Sequence, residues 1–284
     1  MCATALAKDI ERRYAIELIR RQRLSADESA ATWPHTIVVR CLGALDIRLE
    51  DEAVALPKKG PSMPTRLLKA IVALGGRDVS DEQLVSALWP DADGARGKTA
   101  LNTTLHRLRR LLKHDSAIVV QGGAIHLNRD VIGLDVWAFE RAAVELDRAV
   151  ELGVTSSVVA AAERLASLYG GQLFAGDESL AVVVAARARL HSRFLRTLER
   201  AAQLLEARGD FAAALPLHER ALERDDLSEA VYKRLMFCLH RLGRDTEALR
   251  VFQRCCAALS GRLGVAPSPS TRALSARIKR ESAV

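Results

Sequence analysis

Between Arg96 and Lys113 the chain carries six lysines or arginines and no aspartate or glutamate, although acids and bases are mixed elsewhere. Projected at about 100° per residue, the segment ARGKTALNTTLHRLRRLLKH divides into two faces. Leu101, Leu105, Leu108 and Leu112 form one apolar stripe, which is core. The opposite face holds Arg96, Thr99, Thr103, His106, Arg107, Arg110 and Lys113, with Asn102 and Arg109 on its flanks and Lys98 in the same cationic run. Cations on such a face can neutralise phosphates, while Thr, Asn, His and Arg side chains supply donors and acceptors for base edges. A charge run is usually no more than a solvated helix face. Here the balance shifts, because solvated faces mix signs for i,i+4 pairing, whereas unopposed cations repel one another and require an anionic partner.

Other reactive residues lack the company that chemistry needs. The segment ADGARGKT, Ala92 to Thr99, matches the phosphate-binding loop except that Ala92 replaces the first glycine. It follows a helix and Trp89-Pro90 rather than a buried strand, and it puts Asp91 and Asp93 where phosphates would sit, so ATP binding is not expected. His106 and His126 have no second histidine or cysteine at i+3 or i+4, and no G-x-S-x-G elbow occurs. The five cysteines, Cys2, Cys41, Cys238, Cys255 and Cys256, include no C-x-x-C pair and no histidine spaced to complete a zinc set. Reduced cytosolic thiols, no metal, no cofactor and no catalysed reaction are expected.

The cationic helix needs a scaffold, and the flanking sequence describes one. From Ile37 the runs TIVVRCLG, LDIRLE and EAVAL read as short strands of a small antiparallel sheet. A helix follows from about Thr65 to Leu74, stopped by Gly75 and Gly76. Ser80 and Gln83 have capping-box spacing for a second helix ending at Trp89-Pro90. The third is the cationic one, over roughly 95–114, and IVVQGGAIHL then gives a hairpin around Gly122-Gly123 that closes the first domain. The last of three helices can enter a major groove while the hairpin, through Gln121 and Gly122, reaches the flanking backbone.

With 284 residues the chain is long enough for two compact domains. Hydrophobic residues are 49% and charged ones 27%, which argues against disorder, and the low aromatic share of 4% favours helix. A net charge of +7 permits nucleic-acid binding without proving it. Residues 4–24 read as an amphipathic helix with a polar linker after it, and their charges exclude a signal peptide. The longest apolar run, LAVVVAA from Leu180 to Ala186, is too short to span a membrane. Downstream of Asp135 the chain reads as helix after helix. Gly209 and Gly243 lie 34 residues apart, and the same offset pairs Ala214 with Ala248, Leu215 with Leu249, Arg220 with Arg254, Ala201 with Leu235 and Leu205 with Leu239. That is the tetratricopeptide period.

The strands, three helices and hairpin resemble an OmpR/PhoB-type winged helix. The segments VSDEQLVSALWPDA, ALNTTLHRLRRLL, LDVWAFE and GRLGVAPSPSTRAL resemble the bacterial transcriptional activator domain family over roughly residues 36–280. The resemblance implies a mainly α fold with a small β component: a winged helix-turn-helix over residues 36–130, preceded by a helix and linker in 1–35. A tetratricopeptide-like helical domain over 135–284 would follow. It implies a cytoplasmic transcriptional regulator that binds double-stranded promoter DNA through the helix from Arg96 to Lys113, with the Gln121 to Ala124 hairpin as wing. The Trp89 to Gly94 loop would approach RNA polymerase. Two copies could lie head to tail on direct repeats, and residues 1–33 resemble the end of an upstream helical array, so a sensor region could precede them. The competing function is a helical-repeat interaction adaptor that does not bind DNA.

Overall fold

The computed structural model describes residues 35–50, 52–55, 62–176 and 180–282. The amphipathic helix expected over 4–24, with most of its linker, lies outside the described residues.

Three short strands open the fold: β1 (Ile37–Arg40), β2 (Asp46–Leu49) and β3 (Glu52–Ala53). Alternation in IVVR turns Ile37 and Val39 into the core and leaves Val38 and Arg40 half-buried. β1 pairs antiparallel with β2, from Ile37 opposite Leu49 to Arg40 opposite Asp46. Helix α1 (Met63–Ala73) is capped by Ser62 and carries Pro64 in its first turn, where a missing N–H costs nothing. Strand β4 (Val79–Ser80) leads into α2 (Asp81–Leu88), where the Ser80–Gln83 capping box is formed in both directions. Helix α3 (Gly94–Leu111) is the cationic one, and a one-turn 3-10 helix, Asp115–Ala117, joins it to β5 (Ile118–Gln121) and β6 (Ala124–Leu127). β4 pairs with β6, so the strand leading into α2 joins the hairpin in a three-stranded sheet of order β4-β6-β5. The turn has both glycines at positive φ, +59° at Gly122 and +78° at Gly123, as a two-residue hairpin requires.

The first sheet has a fourth strand that the sequence reading missed. β7 (Ile132–Leu134) runs parallel to β1, giving the order β3-β2-β1-β7. The hairpin therefore does not close this part of the fold, and the sheet is not wholly antiparallel. Three residues, one of them Gly133, show no period, and their partner strand lies far upstream.

Seven helices follow: α4 (Asp135–Leu152), α5 (Thr155–Leu168), α6 (Ala181–Ala207), α7 (Phe211–Arg224), α8 (Glu229–Arg241), α9 (Asp245–Leu263) and α10 (Pro269–Glu281). Gly209 and Gly243 sit in the turns after α6 and α8 at φ +80° and +72°. Ala214 and Ala248, Ala201 and Leu235, and Leu205 and Leu239 are all buried at matching places, so the 34-residue register is a packing register.

The two regions are joined by specific bonds and one continuous core. Asp135, first residue of α4, is buried, and its carboxylate accepts from the backbone N–H groups of Cys41 and Leu42, both at 2.7 Å, and from the Cys41 thiol at 2.8 Å. Trp137 Nε1 donates to the Gly75 carbonyl at 3.0 Å, and Arg129 covers its ring at 4.5 Å. Gly43 and Cys41 bond along the segment Gln172 to Ala175, beside the Leu42–Leu173 bridge.

Candidate nucleic-acid interface

Helix α3 starts on Asp93, whose carboxylate accepts from the Arg96 backbone N–H at 2.8 Å. Asp93, which the match to the phosphate-binding loop put at a phosphate position, thus has a capping job, and the preceding element is α2, not a strand. Gly97 lets α3 approach α2: a Cβ built there would lie 2.4 Å from Val85 Cγ1. Leu101, Leu105, Leu108 and Leu112 are all buried, and Thr104 joins them.

The other side of α3 is open. Arg96, Lys98, Thr99, Asn102, Thr103, His106, Arg107, Arg110 and Lys113 are exposed, as the projection required. Their electrostatic states differ. At the N-terminal end Arg96 pairs with Asp93 at 3.3 Å and Lys98 with Asp81 at 3.4 Å. Exposed pairs of this kind are weak and exchange easily for a phosphate. Arg107 and Arg110 make no ion pair among the described residues and carry the undischarged part of the patch. The Thr99 and Thr103 hydroxyls donate back to the carbonyls of Ala95 and Thr99, each at 3.0 Å, which leaves their oxygens facing outward as acceptors.

Two residues depart from the helical projection. Arg109 is half-buried, and its Nε and Nη2 donate to the Ile118 carbonyl at 3.3 and 3.0 Å, so its guanidinium clamps the start of β5 to α3. Lys113 lies beyond the helix end, at φ +48°, because α3 stops at Leu111 rather than near 114. Gln121 and Gly122 stand exposed at the hairpin tip, and the neighbouring Gly123 carbonyl accepts from Asp81 N–H at 3.1 Å. The hairpin is thereby held at its start by α3 through Arg109 and at its tip by α2 through Asp81. His126 lies on the wing surface, with Nδ1 accepting from the Asp78 backbone N–H at 3.2 Å. The Trp89–Gly94 loop shows Pro90, Asp91, Asp93 and Gly94 to solvent.

Sequence spacing did not reveal Gly97 or the clamp by Arg109. A glycine inside a helix pattern without a turn was the available signal for the first; the second had none, since the acceptor is a backbone carbonyl on another element. Nor did spacing find Glu206, His218 and Cys238, whose ligand atoms lie within 4.8 Å of one another. His218 Nε2 is hydrogen-bonded to Glu206 Oε1 at 2.7 Å, and Arg234 Nε faces the same oxygen as an ion pair at 3.4 Å. Burial, then the charge of Glu206 and a hydrogen bond to it, push the Cys238 thiol up to about 12.

Residues 134–279 match the family model of the bacterial transcriptional activator domain. The chain belongs to this family. Its curated relatives include regulatory proteins. The bacterial transcriptional activator domain chain is 28% identical to the regulatory protein AfsR of Streptomyces griseus over 79% of its own length, and spans 23% of that protein. It is also 28% identical to the regulatory protein DnrI of Streptomyces peucetius, over 76% of its own length and 84% of that protein. Among solved structures, Mycobacterium tuberculosis EmbR, in complex with a low-affinity phosphopeptide, superposes with a TM-score of 0.62 at 20% identity, covering 87% of this chain and 65% of that one. That likeness shows the fold: a winged helix followed by tetratricopeptide-like helices. Among the described residues no helix is long and apolar enough to cross a membrane.

Proposed function

We propose that this chain regulates transcription, as an activator, by laying α3 in the major groove of promoter DNA with the β5–β6 hairpin on the adjoining backbone. One observation carries the proposal: the outward face of α3 presents Arg107 and Arg110 without an acidic partner among the described residues, in the company of Asn102, Thr103 and His106. The cations bind phosphate and set position; the interspersed polar groups meet base edges and supply the sequence preference. Arg96 and Lys98 exchange their weak carboxylate partners for phosphates, Lys113 extends the contact past the helix end, and Gln121 and Gly122 approach the flanking strand. Arg109 acts from behind, holding the wing. The Trp89–Gly94 loop, acidic and exposed beside α3, is the surface offered to RNA polymerase, and two copies reading in one direction would favour direct repeats.

The test is selection of bound sequences from random duplex DNA, followed by titration of the winner across a salt series. Four to six phosphates contacted would give a log-log slope of about −4 to −5. Arg107→Ala and Arg110→Ala should each lower affinity, by about 1 to 3 kcal/mol where the side chain makes a bidentate base contact. A flat salt response, or variants that bind like the parent, would sink the proposal.

A further inference from the structure

The helical region holds a second cationic surface, separate from α3. A groove of about 680 Å³ opens between α8 and α10 beside the end of α6. Phe237, Ala273 and Leu274 give it an apolar wall, and Lys233, Arg234, Arg277 and Arg280 stand around it. Among the described residues the one acid that lines it is Glu206. That carboxylate is spoken for: its side chain is 9% exposed and is bound by His218 and Arg234. Of the cations, Lys233 donates to the Ser270 hydroxyl at 3.3 Å and acts by charge on the Glu229 carboxylate, and Arg277 lies 4.0 Å from Glu281. Arg280 has no ion pair among the described residues. Phe237 is braced edge-on by Phe211 at 5.8 Å between ring centres, so the apolar wall is preformed.

We propose that this groove binds an acidic peptide segment of a protein partner, with its carboxylates on Lys233, Arg277 and Arg280 and an apolar side chain between Phe237 and Leu274. The charge asymmetry requires an anion, and the apolar wall between the cations favours one that alternates carboxylates with hydrocarbon over a small inorganic anion. A duplex would meet the rim cations and leave the wall empty. The buried Glu206–His218–Cys238 group gains a purpose from this. His218 fixes the Glu206 carboxylate, which faces Arg234 Nε across a 3.4 Å ion pair at the groove floor and places that cation by charge, although this buried N–H makes no hydrogen bond. The proposal is independent of DNA binding by α3.

The experiment selects short random peptides displayed on phage against the full chain, then measures the purified winners by fluorescence anisotropy. The expected winners are rich in aspartate or glutamate with an interposed apolar residue. Their affinity falls by about tenfold or more in a chain carrying both Arg277→Glu and Arg280→Glu, and is unchanged in one carrying Arg107→Ala and Arg110→Ala. Arg277 and Arg280 are exposed, and circular dichroism and the melting temperature of the reversal variant check that the fold is kept. Three results overturn the assignment: neutral or basic winners or none, acidic winners that the reversal variant still binds, and acidic winners lost with the α3 variant instead. If the reversal variant loses duplex DNA affinity while peptide binding stays, the groove is a nucleic-acid surface and the peptide proposal fails, whatever α3 does.

Discussion

Asp135 offers the most quantitative test of how the two regions are held together. Replacing it by alanine removes the acceptor for the Cys41 and Leu42 N–H groups and for the Cys41 thiol. Cys41 and Leu42 are buried, so water does not replace the lost partner. Two stranded N–H groups at roughly 1 to 3 kcal/mol each put the loss at about 2 to 6 kcal/mol, with little added by the weak S–H donor. That is a large part of a domain's total stability of roughly 5 to 15 kcal/mol. Asp135→Asn keeps an acceptor oxygen and loses the charge, so it costs less and does not titrate. Burial holds the Asp135 carboxyl above its ordinary value of 3.8, outweighing the downward pull of the Cys41 thiol and of the Leu42 and Cys41 N–H groups. The folded state therefore grips this proton more tightly than the unfolded state does. Its contribution is complete below about 3.8 and declines as pH rises through the raised folded value. The stability of the parent minus that of Asp135→Asn should accordingly shrink with rising pH across that window and then level off. Urea denaturation of the parent and both variants, followed by circular dichroism at several pH values, reads both effects. A loss below about 1 kcal/mol for Asp135→Ala would refute the stranded-donor argument. A parent-minus-Asn difference that widened with pH would show the donors outweighing burial and reverse the sign.

Three further substitutions separate packing from recognition. Leu105→Ala, at a position 3% exposed, should cost on the order of 2 to 5 kcal/mol in denaturant titrations and weaken DNA binding only through loss of folded protein. Gly97→Ala puts a Cβ 2.4 Å from Val85 Cγ1 and should destabilise by about 1 to 3 kcal/mol; Val85→Ala in the same chain should restore much of the loss, and failure to do so would move the cause elsewhere. A Cβ at Gly243 would meet nothing within 4 Å, so the damage expected there comes from φ +72° and not from intrusion between paired helices. Gly243→Ala should therefore lose about 1 kcal/mol of stability, and Gly243→Leu, despite its bulk, should lose little more.

The features legible in the sequence were those whose physics closes within a few residues. The leucine stripe and cationic face of α3 follow from helical geometry alone. The Ser80–Gln83 box and the Gly122-Gly123 turn satisfy their own backbone groups, and the 34-residue offset repeats one local packing unit. Side-chain type and spacing were sufficient for these. What tertiary structure decided depends on segments distant in the chain. β7 exists as a strand because β1 lies beside it, and the Asp135 carboxylate has meaning only against backbone donors more than ninety residues earlier. Arg109 looked like a member of the DNA face until the Ile118 carbonyl came within reach. Glu206, His218, Cys238 and Arg234 come from three different helices, and the groove they support exists only once α10 has docked beside α8. Local periodicity determines which face of a helix is polar. Only the packing of helices against one another determines which polar groups meet each other and which are left for a partner.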